Sequence, residues 1–321
     1  MEIMNTLLIL AYNEESHIEK VILNNEKIFD KILIVNDASK DSTLEIINSL
    51  SKENEKINVV SNKKNLGPGK SMELGVAKAL ELGSEIIVKI DGDDQFDSID
   101  IENVLKIGQK NKSDFIKCDR FWPGGIEGEI PKIRYLGNAF ASFLVKVASG
   151  NRNINDPLNG LFLFSKKLAE KIKIPKLFNR YGYPFFINLL ITKLSIDENL
   201  NLHQYRNKIT YADEKSSLNP VTVLFKLLFY SIYFSISNTK VKLRFSQYQI
   251  SALLDIFGYI NFLLSLFSLI MFINIRFFTY QGNQNTWFLL FILFFIIFVV
   301  LIIQSHKAIK SFQISKFIYL D

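Results

Sequence analysis

The chain has 321 residues, enough for one α/β domain and an appendage, and its 48% apolar share with 28 Phe is heavy for a protein wholly in water. The net charge of +6 is unevenly placed: residues 1–220 carry 30 Lys/Arg and 30 Asp/Glu, whereas residues 221–321 carry eight Lys/Arg against Asp255 and Asp321. A nucleic-acid binder concentrates positive charge on its folded domain, so this distribution argues against that class and for basic residues bracketing membrane segments. In chain order, Thr6–Ala11, Lys31–Asn36, Asn58–Ser61 and Glu85–Ile90 are Ile-, Val- and Leu-rich runs that predict strands. Glu15–Asn25, Ser42–Leu50, Lys70–Leu82 and Ser98–Gln109 predict the helices between them. Such alternation implies a parallel sheet with helices on both faces, which binds ligands beyond the carboxyl ends of its strands. The polar clusters fall there: Tyr12-Asn13-Glu14, Asp37-Ala38-Ser39 and Asp91 to Asp97.

Farther along, Val221–Ile236 is apolar apart from Lys226, which fits either an interfacial helix or one packed on the domain. Ile256–Ile275 and Trp287–Ile303 are uncharged stretches of 20 and 17 residues, long enough to span a bilayer. Buried core helices are the alternative, although core helices seldom stay apolar all round for so long. Lys240, Lys242 and Arg244 precede the first span, Lys307, Lys310 and Lys316 follow the second, and the loop between holds only Arg276. The positive-inside rule therefore puts both ends in the cytoplasm. Asp255 falls at the cytoplasmic edge of the first span, where a charge costs less than at the centre. The short apolar run Leu7–Ala11 ends in Asn13-Glu14-Glu15 and does not suit a signal peptide, which again predicts a cytoplasmic domain. Cys118, the single cysteine, rules out an internal disulfide, and His17, His203 and His306 lack zinc-site spacing.

Three motifs bear on chemistry. Gly69-Lys70-Ser71 mimics the end of a phosphate-binding P-loop, but Lys64 stands where the first glycine belongs and Pro68 intrudes. No G-x-G-x-x-G follows the first strand, so a dinucleotide oxidoreductase has little support. Asp91-Gly92-Asp93-Asp94-Gln95 crowds three carboxylates at a strand end, a costly arrangement that a divalent cation would offset. Two carboxylates one residue apart, with the Gln95 amide oxygen, suit Mg2+ or Mn2+ shared with a diphosphate. A solvated turn is the plainer reading of such a cluster on its own.

Taken together and in order, these segments resemble family 2 glycosyltransferases of the GT-A fold, and more narrowly the polyprenyl-phosphate branch that contains dolichyl-phosphate mannose synthases. Leu8-Ile9-Leu10-Ala11-Tyr12-Asn13-Glu14-Glu15 resembles the opening P-A-Y-N-E-E, with Leu10 in place of the usual proline. Val35 to Thr43 resembles V-[DN]-D-G-S-x-D-x-T, Asn65 to Ser71 resembles N-x-G-x-G-x-A, and Asp91 to Gln95 resembles D-[GA]-D-x-Q. Asp119-Arg120-Phe121 with Gly124-Gly125 is similar to S-R-F followed by G-G, and Arg134 to Asn138 is similar to R-R-x-G-N. Asp156-Pro157-Leu158-Asn159-Gly160 resembles D-P-x-N-G, and Tyr211 to Ser217 resembles Y-G-D-E-x-S-S.

The resemblance implies a GT-A, Rossmann-like nucleotide-sugar-binding domain over residues 1–218 and a juxtamembrane segment over 219–248. Two transmembrane helices over 249–306 (about 256–275 and 287–303) and a basic cytoplasmic tail over 307–321 would complete the chain. It assigns Ala11, Tyr12, Glu14, Asp37, Asp91 and Gly92 to the nucleotide-sugar and Asp91, Asp93 and Gln95 to the metal. Arg120, Arg134 and Asn138 would grip an acceptor phosphate, with Asp93, Asp156, Arg120 and Arg134 as the catalytic set. The family's donor-contacting arginine near the Tyr211–Ser217 stretch is missing; Lys215 stands nearest. The expected activity is inverting, metal-dependent transfer from a UDP- or GDP-sugar to a polyprenyl phosphate. A second expectation is transfer to a hydroxyl of a glycan or lipid-linked oligosaccharide in cell-surface polysaccharide synthesis, with Asp156 as base. A third is a catalytically silent membrane scaffold. The expected partners are the donor, the membrane acceptor and membrane lipid, with no nucleic acid; a homo-oligomer is compatible with the sequence.

Overall fold

The computed structural model describes residues 3–127, 130, 132–151, 153–210, 220–277, 283–310 and 318–320. The chain divides into two compact units, one of Met1–Ala148, Arg152–Ser231 and Ser315–Asp321, the other of Ser149–Asn151 and Ile232–Ile314.

The first unit alternates β1 (Asn5–Ala11), α1 (Ile18–Asn25), β2 (Lys31–Asn36), α2 (Thr43–Glu53), β3 (Ile57–Ser61), α3 (Pro68–Glu81), β4 (Ile86–Asp91) and α4 (Ser98–Asn111). These strands are nearly continuous apolar runs because helices cover both faces, and Leu7, Leu8, Ile9, Ile34 and Val88 are fully buried. Pro68 opens α3 at a position where its missing N–H costs nothing, and the Asp97 carboxylate caps α4 by accepting from Ile99 N at 2.9 Å. The chain continues through β5 (Phe115–Asp119), β6 (Ile126–Glu127), α5 (Lys132–Ser149), β7 (Phe162–Ser165) and α6 (Lys166–Ala169), and then α7 (Tyr183–Asp197), β8 (Leu202–Arg206) and β9 (Ile209–Thr210).

The main sheet runs β10-β8-β5-β7-β4-β1-β2-β3, where β10 is Ile318–Leu320. All neighbours are parallel except β7, which is antiparallel to both β4 and β5. The α/β class expected from the sequence is thus present, as a mixed sheet. In the stretch expected as a basic tail, α10 (Gln284–Lys310) takes up the first residues and β10 adds a parallel edge strand to β8. Covering an open sheet edge removes a row of unpaired backbone groups, which is the physical gain.

Strand order reverses between β1 and β4, where β1 faces β2 on one side and β4 on the other. Leu10 pairs with Asp91 and Ala11 with Asn36, so the ends of three strands meet at this switch point.

The juxtamembrane segment is α8 (Pro220–Lys242). Of its two expected behaviours, packing on the domain is the one the contacts show. Tyr230 packs edge-on against Phe178 at 4.7 Å and Lys226 Nζ donates to Tyr181 O at 2.8 Å, while Phe225 and Phe229 stay exposed. In the second unit, α9 (Gln249–Phe277) and α10 form an apolar hairpin, with Phe262 against Phe298 and Phe267 against Trp287. Leu263, Ile270 and Leu289 are each more than 60% exposed, which excludes buried core helices as an account of these segments. Both helices are long and apolar enough to cross a membrane. Asp255 is buried and accepts from Lys242 Nζ at 2.7 Å, Thr239 Oγ1 at 2.9 Å and Ser305 Oγ at 2.5 Å. Its charge therefore has partners within the helical unit itself.

Candidate active site

The loops after β1 and β2 are sewn together. Asn13 N donates to Ser39 Oγ (3.0 Å), Lys40 N to Asn13 Oδ1 (2.8 Å) and Glu14 N to Thr43 Oγ1 (2.7 Å). Asn13 and Ala38 both adopt positive φ, 59° and 60°, the kind of strained loop backbone that persists where the surroundings fix it. Ala11 is buried and Tyr12 is exposed at the rim. Asp37 is buried, and its carboxylate accepts from Asn62 Nδ2 (2.8 Å), Leu66 N (2.8 Å) and Gly67 N (2.7 Å). Asp37 thus orders the turn into α3.

That turn also disposes of the P-loop. An added Cβ on Gly69 would lie 2.0 Å from Phe178 O, and one on Gly67 2.6 Å from Asn179 O. The glycines admit a neighbouring backbone segment here, whereas a P-loop uses them to cradle phosphate.

At the end of β4, Gly92 N donates to Leu10 O at 2.9 Å, and an added Cβ would meet Ile18, Leu10 and Glu14 at 3.2–3.5 Å. Asp91 is one-third exposed and its Oδ1 accepts from Lys89 Nζ at 2.7 Å. Lys89 is fully buried, also donates to Gly160 O at 3.1 Å, and lies 5.2 Å from the centre of the Tyr183 ring. Burial pushes the Tyr183 phenol well above its ordinary pKa, and the carboxylates of Asp91 and Asp93 push it the same way. Asp93 Oδ1 accepts from Gln95 N at 3.4 Å, and Asp94 pairs with Lys20 at 2.5 Å. No group of three or more His, Cys, Asp or Glu side chains is set to hold a metal among the described residues.

Of the residues expected to grip an acceptor, Arg120 and Asn138 meet at Asp156. This residue has φ 44° and a fully buried side chain. Oδ1 accepts from Arg120 Nη2 (3.1 Å) and Asn138 Nδ2 (2.9 Å). Oδ2 accepts from Arg120 N (3.1 Å) and Asn159 Nδ2 (3.1 Å), and Arg120 Nε lies 3.0 Å away. A carboxylate holding four donors with no exposure has the form of an anchor, and a general base needs a lone pair facing the substrate. Arg134 lies one helical turn before Asn138 on α5, so both share a face. The tight turn after Arg120 requires Gly125, where a Cβ would lie 2.3 Å from Arg120 O. Lys215 lies outside the described residues.

The turn from Asp156 to Gly160 links both halves: its first residue holds Arg120 and Asn138, and its last accepts from Lys89 beside Asp91. Residues 6–173 match the pattern of glycosyl transferase family 2. This chain belongs to that family, and it is a glycosyltransferase. An uncharacterized protein of Methanocaldococcus jannaschii is 29% identical over 242 residues, covering 69% of this chain and 98% of that one. The UDP-N-acetylglucosamine–dolichyl-phosphate N-acetylglucosaminyltransferase of Methanococcus voltae is 30% identical over 52% of this chain and 73% of its own. A dolichyl-phosphate beta-glucosyltransferase of Trichomonas vaginalis is 26% identical over 53% of this chain and 54% of its own.

Three buried neighbours of the candidate residues carried no expectation from the sequence: Lys89, Lys117 and Tyr183. Lys117 on β5 is fully buried and donates to Asn155 O, Cys118 O (3.2 Å) and Gln204 Oε1 (3.4 Å). Burial lowers its pKa, opposed by the carboxylates of Asp156 and Asp119. A usable signal existed for both lysines, since a cation inside an otherwise apolar strand run demands a buried partner.

Proposed function

We propose that this chain transfers a sugar from a nucleoside-diphosphate sugar to a polyprenyl phosphate, with inversion, from the cytoplasmic face of a membrane. The observation that carries this reading is the Arg120–Asp156–Asn138 cluster. A buried carboxylate fixes a guanidinium that is itself about one-tenth exposed, which makes a preorganised phosphate grip. Arg134 supplies a second cation from the first turns of α5. Two relatives whose names specify dolichyl phosphate differ in the sugar they transfer, which supports the phosphate acceptor more than any one sugar. The apolar hairpin, with basic residues at both of its outer ends, supports a membrane acceptor and a cytoplasmic domain.

The reaction is a single displacement. An acceptor phosphate oxygen bonds to the anomeric carbon, the bond from that carbon to the diphosphate breaks, and the nucleoside diphosphate leaves with the electron pair. The attacking oxygen is already ionised at neutral pH, so no base is needed and Asp156 acts by holding Arg120 and Asn138 in place. Ala11, Tyr12, Glu14 and Gly92, at the switch point, would line the nucleotide, with Asp37 ordering the loop beside it. The Asp91–Gln95 loop offers hard carboxylate and amide oxygens partly open to solvent, a donor set that fits Mg2+ or Mn2+. Bound by this loop, such an ion would offset charge on the departing diphosphate.

The test uses purified full-length protein, Mn2+, a panel of radiolabelled UDP- and GDP-sugars and a short-chain polyprenyl phosphate. The reading predicts label in the organic phase with the wild type and none with Asp93→Ala. Donor hydrolysis without lipid labelling would favour the hydroxyl-acceptor transferase.

A further inference from the structure

Asp156 has φ 44°, and a residue other than glycine keeps such a backbone only where its surroundings over-determine it. The residues just before it, Asn153 to Asn155, are tied down from three elements. Lys117 Nζ, on β5, donates to Asn155 O. Gln204 Nε2, on β8, donates to Asn153 O at 2.6 Å. Lys146 Nζ, on α5, donates to Asn155 Oδ1 at 2.8 Å. Lys117 and Gln204 are register partners on adjacent strands, so their side chains share one face of the sheet. Both are fully buried, and Gln204 Oε1 accepts from Lys117 Nζ at 3.4 Å. Ile154, between the two tethered asparagines, is fully buried as well.

An ammonium inside a buried strand is costly, so its place in β5 calls for a compensating role. The acceptors of Lys117, namely Asn155 O, Cys118 O and Gln204 Oε1, are all uncharged. Burial disfavours its charged form, and the carboxylates of Asp156 and Asp119 favour it. We infer that Lys117, Gln204 and Lys146 clamp residues 153–155 and so position Asp156, and through it Arg120 and Asn138, for the phosphate of the acceptor. The inference rests on the proposed phosphate grip. All three are positioning residues, acting on the acceptor through Asp156.

The experiment measures kcat and two KM values in full-length protein, one for the donor that the panel identifies and one for a short-chain polyprenyl phosphate. Wild type is compared with K117M, Q204L, K146A, D156N and the doubles K117M/D156N and K146A/D156N, with circular dichroism and melting temperature reporting whether each folds. K146A trims a half-buried side chain on a helix, where alanine is favoured, so it keeps the test decisive where a buried-site variant fails to fold. The inference predicts that K117M and Q204L raise the acceptor KM at least about fivefold and K146A about threefold, each with the donor KM within about twofold of wild type. On D156N, K117M and K146A each add less than about twofold, because the route through Asp156 is already cut. A purely structural role would lower the melting temperature and leave both KM values alone. An unchanged acceptor KM in K146A or in folded K117M, or effects that multiply in full on D156N, overturns the inference. Wild type that transfers no sugar to the polyprenyl phosphate would instead overturn the acceptor reading, and the clamp's role with it.

Discussion

Asp156 is where the two transferase readings part. As the anchor of Arg120 and Asn138 it would shape the proposed acceptor grip, and as a base it would act on the chemical step. Asp156→Asn is expected to raise the KM for a polyprenyl phosphate at least tenfold with a smaller fall in kcat. A base would show the reverse, a loss of about 10²–10⁴ in kcat at nearly constant KM. Because the pair with Arg120 is buried, the same variant should lower stability by roughly 3–5 kcal/mol, seen as a reduced melting temperature. The glycine turn before α3 gives a second residue-level test. Lys70 pairs with Glu73 at 3.1 Å on the protein's own surface, so Lys70→Ala should leave transfer nearly unchanged, whereas a P-loop lysine would be indispensable. Gly69→Ala forces a Cβ into Phe178 O and should destabilise by about 1–3 kcal/mol, as overpacking does. The crowded aspartates after β4 drew attention by their electrostatic cost, whereas Arg120 and Arg134 were singled out only by the family resemblance. Their division of roles was not legible, because it depends on which lysine or asparagine meets each carboxylate across the sheet. Lys89 and Asp91 are two residues apart on one strand and so point to the same face, a hint that the alternation of β4 already contained.

At the scale of elements, the first four strands and the helices between them match the sequence expectation to within a few residues. Their apolar runs are long, and Pro, Gly and Asp mark the ends, as Pro68, Gly67 and Asp97 show. The antiparallel insertion of β7 between β4 and β5 and the docking of β10 on β8 were not legible. Pairing partners far apart in sequence leave no local trace, and Phe162–Ser165 and Ile318–Leu320 are too short to show a period. β8 carries a pH response. His203 is buried, with Nδ1 2.7 Å from Ser113 Oγ, and burial lowers its pKa below the ordinary value of 6.5. The folded state therefore resists a proton that the unfolded chain accepts, so this contribution is intact above pH 6.5 and declines as pH falls toward the folded-state pKa. Denaturant melts between pH 7.5 and 5 should show the decline, and it should be shallower in His203→Gln. An equal slope in the variant would remove His203 as its source.

For the whole molecule, function depends on what the site holds at each end of the reacting sugar. On the proposed reading, donor chemistry belongs to the switch point between β1 and β4, and acceptor chemistry to the cluster around Asp156. The turn from Asp156 to Gly160 ties the two within one unit. The hairpin's exposed apolar surface and flanking basic residues agree with a substrate that lives in lipid. Two dolichyl-phosphate transferases among its relatives differ in the sugar their names specify. The measurement that bears most directly on this account compares two acceptors that differ by one group, a short polyprenyl phosphate and the corresponding free polyprenol. Both are offered with the donor that the panel identifies, and glycolipid formation is followed. The account predicts product only from the phosphate, and its loss in Arg120→Ala. Equal transfer to the free alcohol, or full activity in Arg120→Ala, would contradict it.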